Sequence, residues 1–334
     1  AVSAQSMATS ETTASWDGSD GSQGSLGPWD QVIYDPIDCQ FYTWQLAIAQ
    51  NLGGRRTQED RLAVCPCLGD WNKAFFGLWD GAVDDFAAEQ VRKLFLSNLI
   101  ASSGWAKATL AENRRDEMEA LQDCLREAIQ TTDEEVIRLC RDTQNHYSSC
   151  TGVMTLWTGH ILTVAHVGDS RATLGYVEDG MVGYEQLTSD HKPDLPDERR
   201  RIEEAGGVVA LRNRAAFLRG GDFEERKARG ETPKGLQYSR AFGGKDLKPY
   251  GLSSVPDVKQ VTLEAKHKVL IVASDGLWDV CPSERAVHVA LDAADRYLDP
   301  AQALVQHALA ENRCLQRKAD NVTVLVVLFS DGLN

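Results

Sequence analysis

The segment FFGLWDGAVDD, residues 75–85, constrains the fold more than any other stretch. An apolar run of strand length, Phe75 to Trp79, stops on Asp80 and Gly81. A strand of that composition is buried, and the acid at its tip either makes a turn or holds something. Other runs have the same character: WQLAIA (45–50), RLAVCP (61–66), TGVMTLWT (151–158), HILTVAHVG (160–168), RATLGYV (171–177), KVLIVASD (268–275) and NVTVLVVLF (321–329). With KAFFGLWD (73–80) they form the strand set. TGH (158–160) and GDS (168–170) join neighbouring runs and read as hairpin turns, so at least part of the sheet is antiparallel. Apolar spacing predicts helices over 85–101, 111–143, 196–205, 283–297 and 300–313, with Asp133 and Glu134 marking a break in the long one. The charged, Gly- and Pro-interrupted stretch 211–235 reads as a long irregular insertion.

The chain has 334 residues, 43% of them apolar, enough to bury a sizeable core. Residues 1–38 are rich in Ser, Thr, Gly and Asp and read as a disordered or loosely docked tail. Residues 39–334 then form one folded domain, with no internal repeat. The net charge of −14, without a block of like charges, argues against nucleic acid or an anionic membrane as partner. A metal nuclease, which needs a basic groove, is disfavoured on the same ground. No run reaches the ~18 residues of a membrane span. The eight cysteines include no CxxC pair, so a zinc framework is not expected. Reduced thiols inside a cell, cytoplasmic or nuclear, fit best. A monomer is expected, since no heptad run calls for a partner.

The acids carry the functional signal. Asp80-Gly81 alone would be read as a turn. The pattern recurs, however: Asp275-Gly276 follows another apolar run, with Asp279 four residues on. Asp320 and Asn321 precede the last strand, Asp169 lies between two strands, and Glu59 and Asp60 precede another. Strand ends converge in space, and unpaired carboxylates gathered there repel one another. A divalent cation relieves that repulsion. With no His or Cys beside the acids the site is all-oxygen, which suits Mg²⁺ or Mn²⁺. The glycines after Asp80 and Asp275 let the backbone approach such an ion.

RRTQED, FFGLWDG, VGDSRA, SDHKP with EEAGGVV, YSRAFGG, ASDGLWDV and DNVTV occur in this order between about residues 43 and 329. In these motifs the chain resembles the PPM/PP2C-type metal-dependent protein serine/threonine phosphatases. The resemblance implies an α+β fold, a four-layer α-β-β-α sandwich of two mostly antiparallel sheets flanked by helices, with a metal site at one end. It implies that Asp80 bridges two Mn²⁺ or Mg²⁺ ions. The Gly81 carbonyl and Glu59 are then ligands of one ion, and Asp275 and Asp320 of the other. Asp169, Asp275 and Asp279 match a weaker third site, Arg55 matches the residue that holds the substrate phosphate, and 211–235 occupies the place of a flap. The implied reaction is hydrolysis of a phosphoprotein by a metal-activated water, with no phosphoenzyme. Asp60, Asn321, His191, Lys192, Ser239 and Arg240 are read as supporting structure, and Trp79 and Trp278 as core.

Two departures stand out. Where eukaryotic members read Asp-Gly-His-Gly-Gly, this chain reads Asp80, Gly81, Ala82, Val83, Asp84. The histidine that would protonate the leaving alkoxide is absent. Val83 is β-branched and poorly suited to φ > 0, and Asp84 and Asp85 add negative charge near an anionic substrate. In YSRAFGG, Gly243-Gly244 replaces the usual Gly-Asp, with Asp246 as a candidate substitute. The alternative to an active phosphatase is therefore a pseudophosphatase that keeps the fold for binding or regulation.

Overall fold

Period-two alternation explains why the apolar runs are apolar throughout. In the strand Lys73–Trp79, Phe75 and Trp79 face one way and Ala74, Phe76 and Leu78 the other, and both sets are buried. The strand His267–Ala273 divides likewise into Val269, Ile271 and Ala273 against Leu270 and Val272. Strands buried on both faces require a layer above and a layer below.

The computed structural model describes residues 37–38, 43–69, 73–213 and 215–330. Its larger sheet has six strands in the order Ile37–Asp38, Thr43–Asn51, Val322–Ser330, His267–Ala273, Arg171–Glu178, Met181–Gln186. The second has five, in the order Asp257–Thr262, Ile161–Val167, Gly152–Thr158, Lys73–Trp79, Arg61–Cys65. Every pairing in both is antiparallel. The sheets pack through Trp44, Phe76, Leu78, Val153, Leu270 and Val327, among others. Helices Phe86–Ala101, Ser103–Leu110 and Arg114–Asp142 cover the outer face of the five-stranded sheet, where Phe75 stacks on Phe95 with centroids 5.5 Å apart. Helices Ser283–Asp295 and Pro300–Cys314 cover the other sheet. The α-β-β-α sandwich is as expected.

Several local expectations are corrected. The GDS segment is not a hairpin turn: Ile161–Val167 and Arg171–Glu178 belong to different sheets, so residues 168–170 carry the chain across the sandwich. TGH is a true hairpin, pairing Thr158 with Ile161 across Gly159 at φ 56°. The helix Arg114–Asp142 runs unbroken, and Asp133 turns inward from it to accept from the Gly243 N–H and Lys248. The insertion 211–235 is not irregular. It holds the second half of a hairpin, Val208–Arg212 with Ala215–Arg219, and the helix Phe223–Ala228. The polar edge strands Met181–Gln186 and Asp257–Thr262 lacked the apolar signal that marked the others. The tail expected over 1–38 lies outside the described residues apart from Ile37 and Asp38. Among the described residues no helix is long and apolar enough to cross a membrane, and the described cysteines are free thiols.

Candidate metal centre and phosphate site

Register places the acids at one end of the sandwich. Arg61 pairs with Trp79, which sets Asp60 beside Asp80. Ala273 pairs with both Val324 and Arg171, which brings Asp275, Asp320 and Asp169 to the same end of the neighbouring sheet. Asp275 opens a single helical turn, Asp275–Trp278, and Asp279 closes it by donating its N–H to the Asp275 carbonyl at 2.8 Å.

The close approach depends on glycine. A Cβ on Gly276 would lie 1.9 Å from the Asn321 carbonyl oxygen, and one on Gly81 2.6 Å from the Glu59 carbonyl oxygen. These glycines thus let the acid-bearing backbones nest against one another.

Burial and mutual repulsion set the charge state. Burial, then the charges of Asp60, Asp275, Asp169 and Asp320, hold the Asp80 carboxyl well above the ordinary range. Burial, with Asp169, Asp279 and Asp320, does the same to Asp275. Asp169 and Asp279 are raised chiefly by burial. Asp60 is pushed up to about 6 by burial, although Thr323 and Ser274 donate to its Oδ2 at 2.6 and 2.9 Å. Its other oxygen, Oδ1, is buried without a hydrogen-bond partner. Two cations enter the cluster: Arg55 pairs with Asp320, and Lys192 with Asp169. Lys192, read from sequence as supporting structure, therefore reaches into the acid cluster. Burial works against its ammonium, and Asp169 more than offsets that, so its pKa stands above the usual lysine value.

An all-oxygen set of buried acids that raise one another's pKa, with one orphaned carboxylate oxygen, fits hard divalent ions. Among the described residues the tightest trio of potential ligand atoms lies elsewhere, at His166, His191 and Asp257, within 4.8 Å of one another. That trio suits a structural role better. The two imidazoles stack at 4.5 Å with 6° between planes, so their in-plane lone pairs do not converge on one point. His191 Nδ1 accepts from the Gly168 N–H, and its Nε2 meets Asp257 at 3.3 Å.

Supporting contacts hold each segment. Asn321 is 5% exposed. Its Oδ1 accepts from the Glu59 N–H at 2.8 Å, and its Nδ2 donates to the Leu52 and Thr57 carbonyls at 3.0 Å each, fastening the loop that carries Arg55 and Glu59. Arg171 forks onto Asp190 at 2.7 and 2.9 Å and lies over the Trp278 ring. The crossover at Asp169 hangs from His191, whose carbonyl accepts from Ser239. Ser239 and Arg240 are in turn held by the buried carboxylate Glu198, which also accepts from Arg201. Burial opposes the Glu198 charge, but Arg201, Arg240 and Ser239 outweigh it and lower its pKa to about 2.

A depressed carboxylate pKa stabilises the fold above the unfolded value, near 4.5, and that stability is lost as pH falls towards 2. The melting-temperature gap between the native chain and E198Q is thus expected to be wide at pH 7 and to narrow steadily below pH 4.5. Thermal melts across this range check it, and a gap independent of pH would contradict the ion-pair account.

The altered loop behaves unexpectedly. Val83 does adopt positive φ, at 79°, and is 45% exposed. Such a conformation costs a β-branched residue ~1–2 kcal/mol. Val83→Gly is therefore expected to stabilise the protein by about 1 kcal/mol, less the extra entropy glycine gives the unfolded chain. Denaturant melts read this directly. Asp84 and Asp85 do not point free charge at the site as expected. Asp84 accepts from the Phe86 N–H and Ser148, and Asp85 pairs with Arg61. Ala82 packs against an apolar cluster that includes Leu218 and Leu236 from the 208–236 segment. Asp246 does not stand in for the absent acid of the Gly243-Gly244 motif: it pairs with Arg226, in the 223–228 helix, and Lys245.

Comparison with known proteins accords with this geometry. The family model described as Protein phosphatase 2C matches residues 45–316. A crystal structure of serine-threonine phosphatase 2C from Toxoplasma gondii superposes with a TM-score of 0.84 at 40% identity, covering 90% of this chain and 98% of that one. The rice protein named Probable protein phosphatase 2C 59 is 33% identical over 259 residues, 78% of this chain and 67% of its own length. Probable protein phosphatase 2C 69 of Arabidopsis thaliana is 33% identical over 254 residues, 76% of this chain and 61% of its own. This chain thus spans roughly two thirds of these plant relatives. The fold and these matches together define a metal-dependent protein phosphatase. Within that class the chain belongs to the protein phosphatase 2C family, whose members use Mg²⁺ or Mn²⁺ and act on phosphoproteins.

Proposed function

We propose that this chain hydrolyses phosphoserine and phosphothreonine in proteins with the help of divalent ions, which Asp80 would hold at the centre of the ligand set. The observation that carries the reading is the gathering of Asp80, Asp275, Asp320 and Asp169 at one end of the sandwich, where burial and repulsion leave charge to be neutralised. Glu59 and the Gly81 carbonyl would complete one half of the ligand set, and Asp275 and Asp320 the other. Asp169 and Asp279 would offer a weaker third position, in which an ion must compete with the Lys192 ammonium. Ions bound there supply a water acidified towards neutral pH as the nucleophile.

The chain's own residues do the rest. Arg55, half-exposed at the rim, presents a planar fork to the phosphoryl oxygens once turned from Asp320. Asn321 keeps Arg55 and Glu59 in register with Asp320. No side chain at position 82 donates a proton to the leaving oxygen, because the methyl group of Ala82 has none to give, and it packs on apolar neighbours. Phosphoserine turnover then loses about 10²- to 10⁴-fold of acid catalysis, while an aryl phosphate, whose leaving group is stable unprotonated, loses little.

The altered Asp80–Asp84 loop also favours the second reading, a pseudophosphatase that acts as a binding or regulatory protein. Phosphate release from a phosphothreonine peptide, titrated with Mn²⁺ and Mg²⁺, decides between them. Metal-dependent release supports the enzyme. Mn²⁺ binding by calorimetry without release from either peptide or aryl phosphate supports the pseudophosphatase. The protein is expected to act as a monomer.

A further inference from the structure

A three-stranded ribbon lies behind the acid cluster, formed by Gly81–Ala82, Ser149–Cys150 and Phe242–Gly243. Gly81 and Phe242 both register on Cys150, and Ala82 and Gly243 both register on Ser149. One edge of the ribbon therefore continues directly from Asp80. The Thr151 N–H, next to the middle strand, donates to the Asp80 carbonyl at 2.9 Å.

The opposite edge is fastened to the long helix by a buried ion pair. Asp133 Oδ1 accepts from the Gly243 N–H at 2.8 Å, and its Oδ2 accepts from Lys248 Nζ at 2.6 Å. Lys248 also donates to the Ala241 carbonyl at 2.9 Å. The two side chains are 6% and 18% exposed. Asp133 and Lys248 thus grip the backbone on both sides of Phe242. The middle strand is held by Tyr238 on Ser149 at 2.9 Å and by the Gly244 N–H on the Ser148 carbonyl at 2.7 Å. A buried pair of this kind adds little net stability, because desolvation offsets the attraction. What it supplies is direction: each partner bonds a fixed backbone group, so the ribbon has one place relative to the helix.

We propose that Asp133 and Lys248 are positioning residues for the Asp80–Ala82 end of the metal centre, acting across this ribbon. Its catalytic consequence rests on the phosphatase reading, while its structural consequence does not. Removing the pair leaves the core of the sandwich intact and loosens the segment that presents Asp80 and the Gly81 carbonyl.

The test uses the full chain as native protein, D133N and K248M, with E127A as a control. Glu127 accepts from the Ser103 and Gly104 N–H groups at the start of the Ser103–Leu110 helix, away from the ribbon, so its loss costs stability elsewhere. In D133N and K248M, amide hydrogen exchange is expected to quicken about tenfold in peptides spanning 80–86 and 147–151, and not in those spanning 103–110. The Mn²⁺ concentration for half-maximal activity should rise about tenfold, as for other residues that orient a ligand, with KM for p-nitrophenyl phosphate unchanged. E127A should show neither effect. If both variants lose thermal stability while exchange at 80–86 and the Mn²⁺ response match E127A, the pair is scaffold only and the proposal fails. If one variant does not fold, the other decides. Should the native chain neither bind Mn²⁺ nor release phosphate, the phosphatase reading falls, and the exchange pattern still decides whether the pair positions the loop.

Discussion

Asp275→Asn is expected to lower metal-dependent phosphate release by at least ~10²-fold and to raise the melting temperature in metal-free buffer. The two effects have one cause. In the folded chain, burial and the neighbouring charges of Asp169, Asp279 and Asp320 disfavour the Asp275 carboxylate. An asparagine keeps the shape and removes the charge, so the metal-free fold gains what burial and repulsion had cost. The same exchange removes a full negative charge from the proposed ligand set, and Mn²⁺ affinity falls. A purely structural residue at this position would not separate the signs: its loss would lower stability and activity together. Calorimetry with Mn²⁺, paired with melts with and without chelator, reads both effects. Unchanged Mn²⁺ affinity and turnover would remove Asp275 from the site.

Asn321→Ala is expected to destabilise the protein by about 2 kcal/mol, since it breaks three part-buried hydrogen bonds worth ~0.5–1 kcal/mol each. It leaves the Glu59 N–H and the Thr57 carbonyl without a partner, while the Leu52 carbonyl keeps only the Arg55 N–H at 3.2 Å. Because these groups belong to the loop bearing Arg55 and Glu59, Mn²⁺ affinity should fall about tenfold and KM for a phosphopeptide should rise. Denaturant melts give the first quantity, calorimetry and initial rates the others. A stability loss with metal affinity and KM intact would confine Asn321 to fastening the loop without bearing on the metal centre.

The candidate site was legible in the sequence at the level of which acids to choose. Asp80, Asp275 and Asp320 adjoin apolar strands, and their recurrence set them apart from ordinary turns. The supporting residues were less legible, because their roles depend on contacts distant along the chain. Lys192 is an ordinary loop lysine until the crossover brings Asp169 to it, 23 residues away in sequence. Asn321 clasps carbonyls more than 260 residues distant. Asp133 looked like a helix breaker because its partners, Gly243 and Lys248, lie beyond any local window. The 211–235 segment was misread because the first strand of its hairpin, Val208–Arg212, lies mostly before it, and Leu218 is fastened by two backbone hydrogen bonds to Leu236, just beyond it.

The backbone of the altered loop was decided by tertiary contacts against local preference. Val83 disfavours positive φ, yet Gly81 nested on Glu59, Asp84 bound to Ser148 and Asp85 paired with Arg61 hold both ends of the loop, and the residue between them takes φ 79°. The sequence by itself determined the apolar strands and the acids at their tips, because composition is a local property, but not the polar edge strands. Only the tertiary structure decided which sheet each strand joins. Residues 168–170 are short enough for a hairpin, but Arg171–Glu178 pairs with His267–Ala273 in the other sheet, and that crossing brings Asp169 to the same end as Asp80 and Asp275.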